Sequence, residues 1–278
     1  MSGYVEGILV LLAINVILAY AAALPLAGGQ LNLGIAGFMA IGAYTSAYLS
    51  NEFALSLWLT IASGSLVAGL VALAIGLPIL RAHGIYLALA TFSLGEIIKA
   101  IFLNMDVVGG ASGYAVLAYL ESTAVWSIAA GVFLVMVFIS QTRFFLYLTA
   151  IKNDATVTDL FGVNTKGIQL ASFVLGACVA GIAGGVFAHL FSFVDAQYFS
   201  AQLNIFIALF VLLGGVQTIL GPMFGALFFT LLPEILRFSN EWRFAVFAAV
   251  IILFMALRPE GVITSQLLRS IWRRRSVA

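Results

Sequence analysis

The chain has 278 residues, of which 63% are hydrophobic and only 8% are charged, and its formal net charge is +1 at pH 7. A soluble domain carries about a quarter charged residues, so this composition excludes a water-soluble globular protein and predicts a polytopic membrane protein. The near-neutral charge, with basic residues clustered only in a short C-terminal tail, gives no reason to expect nucleic-acid binding. The single cysteine, Cys178, excludes a disulfide within the chain.

Apolar segments of spanning length follow one another along the whole chain. A transmembrane helix needs about 20 apolar residues. This rule predicts spans near 7–26, 31–50, 56–79, 85–104, 122–141, 169–191, 203–220, 222–237 and 243–258. Ile8 to Leu26 is interpreted as a retained first span and not as a cleaved leader, because the N-terminus lacks the positively charged region of a secretory signal. We expect an all-α fold, a polytopic transmembrane bundle of about 8–10 spans forming one domain over residues 1–278.

Glycine is concentrated in two stretches, around Gly28–Gly42 and Gly214–Gly225. Small residues let membrane helices approach closely, and interrupted helices often mark the pathway of a transporter. A broken segment around Gly28 to Gly37 is therefore expected. The region 203–236 is compatible either with two spans or with one span plus a re-entrant piece.

The longest polar interruption lies in the middle of the chain. This segment, at about 143–168, carries Arg143, Lys152 and Lys166, and the tail at about 262–278 carries four arginines. Lysine and arginine favour the cytoplasmic side in short loops, and four predicted spans separate the two segments. Both are therefore predicted to be cytoplasmic, which places the C-terminus in the cytoplasm and, with nine spans, the N-terminus outside.

The central segment has the features of a short helix. Asp154 lies where a carboxylate favours the N-terminal end of a helix dipole, and Gly162 suits a C-terminal cap. A short rigid helix in a cytoplasmic loop can transmit movement from a soluble partner. The alternative is a solvated connector without a partner.

Five blocks of sequence, in this order and spacing, resemble the permease subunits of ABC importers for branched-chain amino acids (the Liv type). They are GGQLNLGIAGFMAIGAY at Gly28–Tyr44, RAHGIYLALATFSLGEIIK at Arg81–Lys99, GGASGY at Gly109–Tyr114, the central segment with the following span, and LGGVQTILGPMFGALFFTLLPEILR at Leu213–Arg237 followed by RPEG at Arg258–Gly261. The Arg81 and RPEG blocks favour the M-type permease over the H-type.

The resemblance implies an ATP-driven importer in which this chain has no ATPase site or cofactor of its own. Two cytoplasmic ATP-binding subunits would bind ATP and magnesium, a second permease would complete a heterodimer, and an extracytoplasmic solute-binding protein would deliver the solute. The implied location is a bacterial or archaeal cytoplasmic (inner) membrane. By the same resemblance, the residues of the ATPase-coupling segment are Lys152, Asp154, Asp159, Leu160 and Gly162. Residues 156–158 depart from the Glu-Ala-Ala of the general importer pattern.

The candidates for the translocation pathway are Gln30, Asn32, Tyr86, Thr91 and Ser112. Gln30 and Asn32 are hydrogen-bonding groups in or beside a span, where helix–helix contact is the commoner alternative role. Tyr86, Thr91 and Ser112 are candidates by resemblance alone. Asn32 stands where the family often has serine, which leaves the specificity open.

No phosphate loop of the form G-x-x-x-x-G-K-[ST] is present, so the chain is not expected to be its own ATPase. Glu96 and Lys99 have the i, i+3 spacing of a helical ion pair. His83 and His189 lack partners at metal-ligand spacing, so no metal site is expected. Three alternatives remain: the same architecture importing urea, short amides or another small carboxylate, an ion-coupled secondary transporter, and a structural scaffold.

Overall fold

A computed structural model describes residues 2–236 and 243–257, and these residues are mostly helical. Nine longer helices within them correspond to the nine predicted spans, which confirms the all-α polytopic bundle. These helices are α1 Ser2–Ala27, α2 Ile35–Phe53, α3 Leu57–Ile79, α4 Ile85–Leu103, α5 Ser122–Gln141, α8 Thr165–Phe191, α9 Ala201–Gly214, α10 Leu220–Ile235 and α11 Arg243–Leu257. Five of them, namely α1, α3, α4, α5 and α8, combine the length and apolar composition needed to cross a bilayer. The basic tail at 262–278 and the RPEG block lie outside the described residues.

The loops gather at two ends of the bundle. Two short antiparallel strands, β1 Tyr114–Ala115 and β2 Phe193–Val194, pair with each other at one end, here called the strand end. The amide nitrogen Nδ2 of Asn51, near the end of α2, donates a hydrogen bond to the carbonyl of Ala115 at 2.7 Å. The opposite end, here called the basic end, holds the end of α1, the α3–α4 loop and the central segment with its basic residues.

Helices α2 and α8 form the centre of the bundle, and small residues let them touch backbone to backbone. A Cβ at Gly42 would collide with the backbone of Gly181, and one at Gly184 with the carbonyl oxygen of Met39. Most of α2 is buried by protein. A helix surrounded by protein needs small and shape-matched residues more than lipid-facing leucines, which explains why α2 lacks the strong hydropathy of its neighbours.

Helices α9 and α10 form a short antiparallel pair joined at the basic end. With 14 and 16 residues, they extend about 21 and 24 Å at about 1.5 Å per residue, less than the roughly 30 Å hydrocarbon core of a bilayer. Glycines again allow the contact, because a Cβ at Gly225 would collide with the carbonyl oxygen of Phe210. The region 203–236 therefore contains two helices, both shorter than α1.

Two helices begin at residues that differ from the predicted spans. Span 31–50 becomes helical only at Ile35, and the expected break lies in the non-helical residues before it. Helix α8 begins at Thr165, because the side-chain oxygen of Asn164 accepts a hydrogen bond from the Gly167 N–H at 3.0 Å. The polar segment 143–168 is therefore divided into α6 Arg143–Asn153, α7 Ala155–Leu160 and the first turn of α8.

Candidate functional site

The segment 28–34 leaves α1 at the basic end and runs into the interior of the bundle before α2 begins. Helix α1 ends at a pair of glycines, and Gly29 has φ +77°, a conformation that glycine adopts without strain. A Cβ on Gly28 would contact the side chain of Leu148, and a Cβ on Gly29 would lie 3.5 Å from the Cα of Lys152. The start of the break therefore rests against α6.

The far end of the break is held by side chains that accept hydrogen bonds from its backbone. Leu33 N–H donates to Thr91 Oγ1 at 3.0 Å, and Gly34 N–H donates to Asn32 Oδ1 at 2.9 Å. A third bond comes from Ala36. Its N–H donates to Oδ1 of Asn204 on α9 at 2.7 Å. Because a bare backbone group in a membrane interior costs several kcal/mol, these bonds are what permits a helix to start at this depth.

Three glycines bring the surrounding helices close enough for these bonds. A Cβ at Gly34 would lie 2.5 Å from the carbonyl oxygen of Thr91, and one at Gly37 would lie 2.9 Å from the Cα of Gly95. On Gly95, a Cβ would lie 3.3 Å from Nδ2 of Asn204. The site is thus the meeting point of the start of α2 with α4 and α9.

Three of the predicted pathway residues meet around the break. Gln30, Asn32 and Thr91 are all buried, and Ser172 Oγ on α8 donates to Gln30 Oε1 at 3.3 Å. Gln30 therefore takes part in a helix contact, which was its alternative role. Asn204 was missed from the sequence. The available signal was an amide side chain within a largely apolar helix.

The other two pathway candidates lie away from this cluster. Tyr86, in the first turn of α4, is 73% exposed. Ser112 is exposed in a 3-10 turn of the loop at the strand end. The structure therefore does not bring them together with Asn32 and Thr91.

The central segment consists of two helices, α6 and α7, that pack against each other. Leu148 and Ile151 bury one face of α6. Asp154 caps α7 as expected, since its Oδ1 accepts a hydrogen bond from the Val157 N–H at 2.9 Å. Gly162 has φ +80° and donates its N–H to the carbonyl oxygen of Asp159 at 2.9 Å, which ends α7 in the predicted manner.

An exposed apolar pair lies at the tip of α7. Leu160 is 83% exposed and the adjacent Phe161 is 82% exposed. Leu160 was among the predicted coupling residues and Phe161 was not, although two adjacent large apolar residues in a polar loop were a visible signal. Such a pair on a rigid helix end is typical of a surface that packs into a partner's groove.

Two cavities open at opposite ends of the bundle. At the basic end, a cavity of about 370 Å³ separates α6 from the end of α1 and the α9–α10 turn, and its lining is Ala27, Phe145, Thr149, Lys152, Asn153, Val216 and Gln217. At the strand end, a cavity of about 320 Å³ lies between α2 and α4, and its lining is Tyr44, Thr45, Tyr48, Leu49, Phe102, Met105, Val107 and Val108.

Two further polar groups have structural roles. The predicted ion pair is confirmed, because Lys99 Nζ lies 3.4 Å from Glu96 Oε2. His189 is fully buried. Its Nδ1 donates to the carbonyl oxygen of Ala118 at 3.0 Å, and its Nε2 lies 2.9 Å from Ser46 Oγ. This histidine ties α8 to α2 and to the loop of the strand end.

Comparisons with known proteins place this architecture in a family. The family model described as "Branched-chain amino acid transport system / permease component" matches residues 4–255. The permease protein LivM of the high-affinity branched-chain amino acid transport system of Salmonella typhimurium is 28% identical over 271 residues, covering 84% of this chain. The match covers 64% of that LivM, so the chain spans less than two thirds of the relative's length.

Two other permease proteins of high-affinity branched-chain amino acid transport systems match less of the chain. LivH of Escherichia coli is 25% identical over 194 residues, which is 68% of this chain and 62% of LivH. BraD of Pseudomonas aeruginosa is 29% identical over 138 residues, which is 47% of this chain and 44% of BraD. No solved structure matches the chain. The chain is therefore a LivM-like, multi-pass membrane protein that belongs to the family of branched-chain amino acid transport system permease components.

Proposed function

We propose that this chain is a transmembrane permease subunit of an ATP-driven ABC importer. Its cargo is a branched-chain or related hydrophobic amino acid that a solute-binding protein delivers. The observation that carries the proposal is the exposed Leu160–Phe161 pair at the tip of a capped, rigid helix, within a chain that belongs to a transport permease family. A transport subunit that does not hydrolyse ATP itself needs such a surface, because the soluble subunit that does so must contact it to change its conformation.

The route of the force begins at α7 and ends at the break before α2. The ATP-binding subunit binds Leu160 and Phe161, while the caps at Asp154 and Gly162 keep α7 helical during the movement. Helix α6 carries the movement inward, because its buried face is anchored in the bundle. At Gly28 and Gly29 helix α6 contacts the non-helical segment 28–34. The φ and ψ angles of such a segment change more easily than those of a helix. Lys152 and Asp159 take part as members of the coupling segment.

The remaining subunits follow from the same proposal. Two cytoplasmic ATP-binding subunits hold ATP and magnesium and dock at the basic end. A second permease completes a heterodimer, and the solute-binding protein approaches the strand end. The complex resides in a bacterial or archaeal cytoplasmic membrane, with the C-terminus of this chain in the cytoplasm.

The test is reconstitution of this chain in liposomes with its sister permease, ATP-binding subunits and binding protein. We expect leucine uptake to need both ATP and the binding protein. Gly162→Pro should abolish the stimulation of ATP hydrolysis by solute-loaded binding protein while membrane insertion is kept, because proline cannot adopt a positive φ. Leucine accumulation without companion proteins, or labelling of residues 154–162 from outside intact cells, would contradict the proposal.

A further inference from the structure

The start of α2 carries hydrogen-bond donors that no described residue accepts. Asn32 and Asn204 are 6% and 2% exposed, and the Oδ1 atom of each already accepts a backbone hydrogen bond. The Nδ2 atom of each is buried and has no hydrogen-bond partner in the part of the chain that the structure describes. Buried amide donors without a partner are rare in native proteins and call for an explanation.

Both unused donors belong to the same helix end. Asn32 accepts from Gly34 and Asn204 accepts from Ala36, so the two carboxamides flank the first turn of α2 from the chain segment before it and from α9. Helix α2 has 19 residues, and the N-terminus of such a helix carries a partial positive charge that favours anions.

One carboxylate, that of Glu96, follows Gly95 on α4. Its Oε2 pairs with Lys99 Nζ at 3.4 Å, whereas its Oε1 is buried and has no hydrogen-bond partner among the described residues. Two neutral amide groups and a helix dipole give a weakly attractive environment for a carboxylate. Such an environment suits a transporter, because a deep energy well would retain the solute and slow its release.

We propose that the start of α2 binds the carboxylate group of the transported solute, with Nδ2 of Asn32 and Nδ2 of Asn204 as the donors. The inference rests on the proposed function and adds to it the chemical group that the permease recognises. Amino acids and other small carboxylates satisfy this site, whereas urea and neutral amides lack the anion that it favours.

The access route follows the seam between α2 and α4. Tyr44 stands nine residues after Ile35, about 13 Å further along α2 at about 1.5 Å per residue, and it lines the cavity of about 320 Å³ at the strand end. Apolar side chains such as Phe102 and Val108 face that cavity and match an aliphatic solute. Between cavity and site, Gly37 and Gly95 are in close contact. A separation of α2 from α4 would open the seam, and it would also part the stacked rings of Tyr44 and Phe102, whose centroids lie 4.3 Å apart.

The test is Asn204→Asp in the complete importer. Aspartate keeps the Oδ1 acceptor for the Ala36 N–H, so the helix start stays capped, but it replaces the free donor with a negatively charged acceptor. Asn32→Asp makes the same change on the other side. The matched control is Asn15→Asp on α1, where a half-buried asparagine bonded to Thr230 lies outside the site. All three variants add one carboxylate within the membrane.

Two measurements are compared: leucine uptake by proteoliposomes, and the shift in melting temperature of the detergent-solubilised complex on adding leucine or leucinamide. For the wild type we expect leucine, but not leucinamide, to raise the melting temperature. In Asn204→Asp and Asn32→Asp, we expect leucine uptake to fall by about ten-fold or more, and leucine should no longer raise the melting temperature. Asn15→Asp should keep both the uptake and the rise in melting temperature.

The outcomes separate the two proposals. If the wild type imports leucine with ATP and Asn204→Asp retains full uptake and the leucine shift, the carboxylate site is wrong and the proposed function stands. A wild type that is stabilised equally by leucine and leucinamide overturns the site in the same way. If the complete importer takes up urea instead of leucine, the proposed cargo fails and the site fails with it.

Discussion

The side-chain oxygen of Asn204 accepts a hydrogen bond at 2.7 Å from the backbone N–H of Ala36, 168 positions earlier in the chain. One helix is thus capped by a residue of another, where a capping side chain normally comes from just before the helix. Because this cap arrives from α9, the packing of α9 stabilises the start of α2, together with the bonds that Thr91 and Asn32 accept.

Thr91→Val should destabilise the protein by about 1–3 kcal/mol, because the Leu33 N–H would lose its acceptor inside the bundle. Valine keeps the volume of threonine, so the loss reports on the hydrogen bond. The measurement is the melting temperature of the purified complex. The control, Thr149→Val on the exposed face of α6, should stay within about 0.5 kcal/mol of wild type. Equal melting of both variants would argue against the role of Thr91.

Gly42→Ala should disrupt the packing of α2 against α8, since the new methyl group would collide with the backbone of Gly181. We expect a loss of about 1–3 kcal/mol or more, seen as a lower yield of folded protein and a lower melting temperature. Gly131→Ala is the matched control, because nothing lies within 4 Å of its Cβ position in α5. There alanine should be neutral or stabilising by about 0.5–1 kcal/mol. A neutral Gly42→Ala would refute the close contact.

Replacing Leu160 and Phe161 together by alanine should leave the melting temperature of the isolated permease unchanged, because both side chains are more than four-fifths exposed. In the complete importer, the same variant should lower solute-stimulated ATP hydrolysis by ten-fold or more, about the effect of losing an interface hot spot of roughly 2 kcal/mol. The control is Leu146→Ala on α6, because the Leu146 side chain is also 66% exposed. If ATPase stimulation survives the double substitution, the coupling surface lies elsewhere.

Gly162→Ala should cost about 1–2 kcal/mol through the backbone alone, because φ is +80° and nothing lies within 4 Å of its Cβ position. Gly84→Ala in the α3–α4 loop makes the same change at φ +59°, also in open space. We expect both to lower the melting temperature, and Gly84→Ala by at least as much, because its ψ of −129° lies outside the left-handed helical region. ATPase stimulation should fall in Gly162→Ala only. A parallel loss in both variants would indicate general destabilisation and count against α7 as the coupling helix.

Local signals were enough to predict the capped helix of the central segment. Asp154 and Gly162 act through bonds to neighbours a few positions away, so their roles could be inferred from spacing. The Glu96–Lys99 pair is equally local. Asn204 and His189 could not be assigned in this way, because their partners on other helices are distant in the sequence.

Composition and apolar segment length by themselves determined that the chain is an all-α membrane bundle of about 8–10 spans with one long polar interruption. Those properties depend on hydrophobicity summed over about 20 neighbouring residues, which the sequence displays directly. Only the tertiary structure decided which polar groups meet at the start of α2 and which amide donors remain unused. Such contacts arise where glycines let separate helices approach, and the spacing along one helix does not reveal what another helix places beside it.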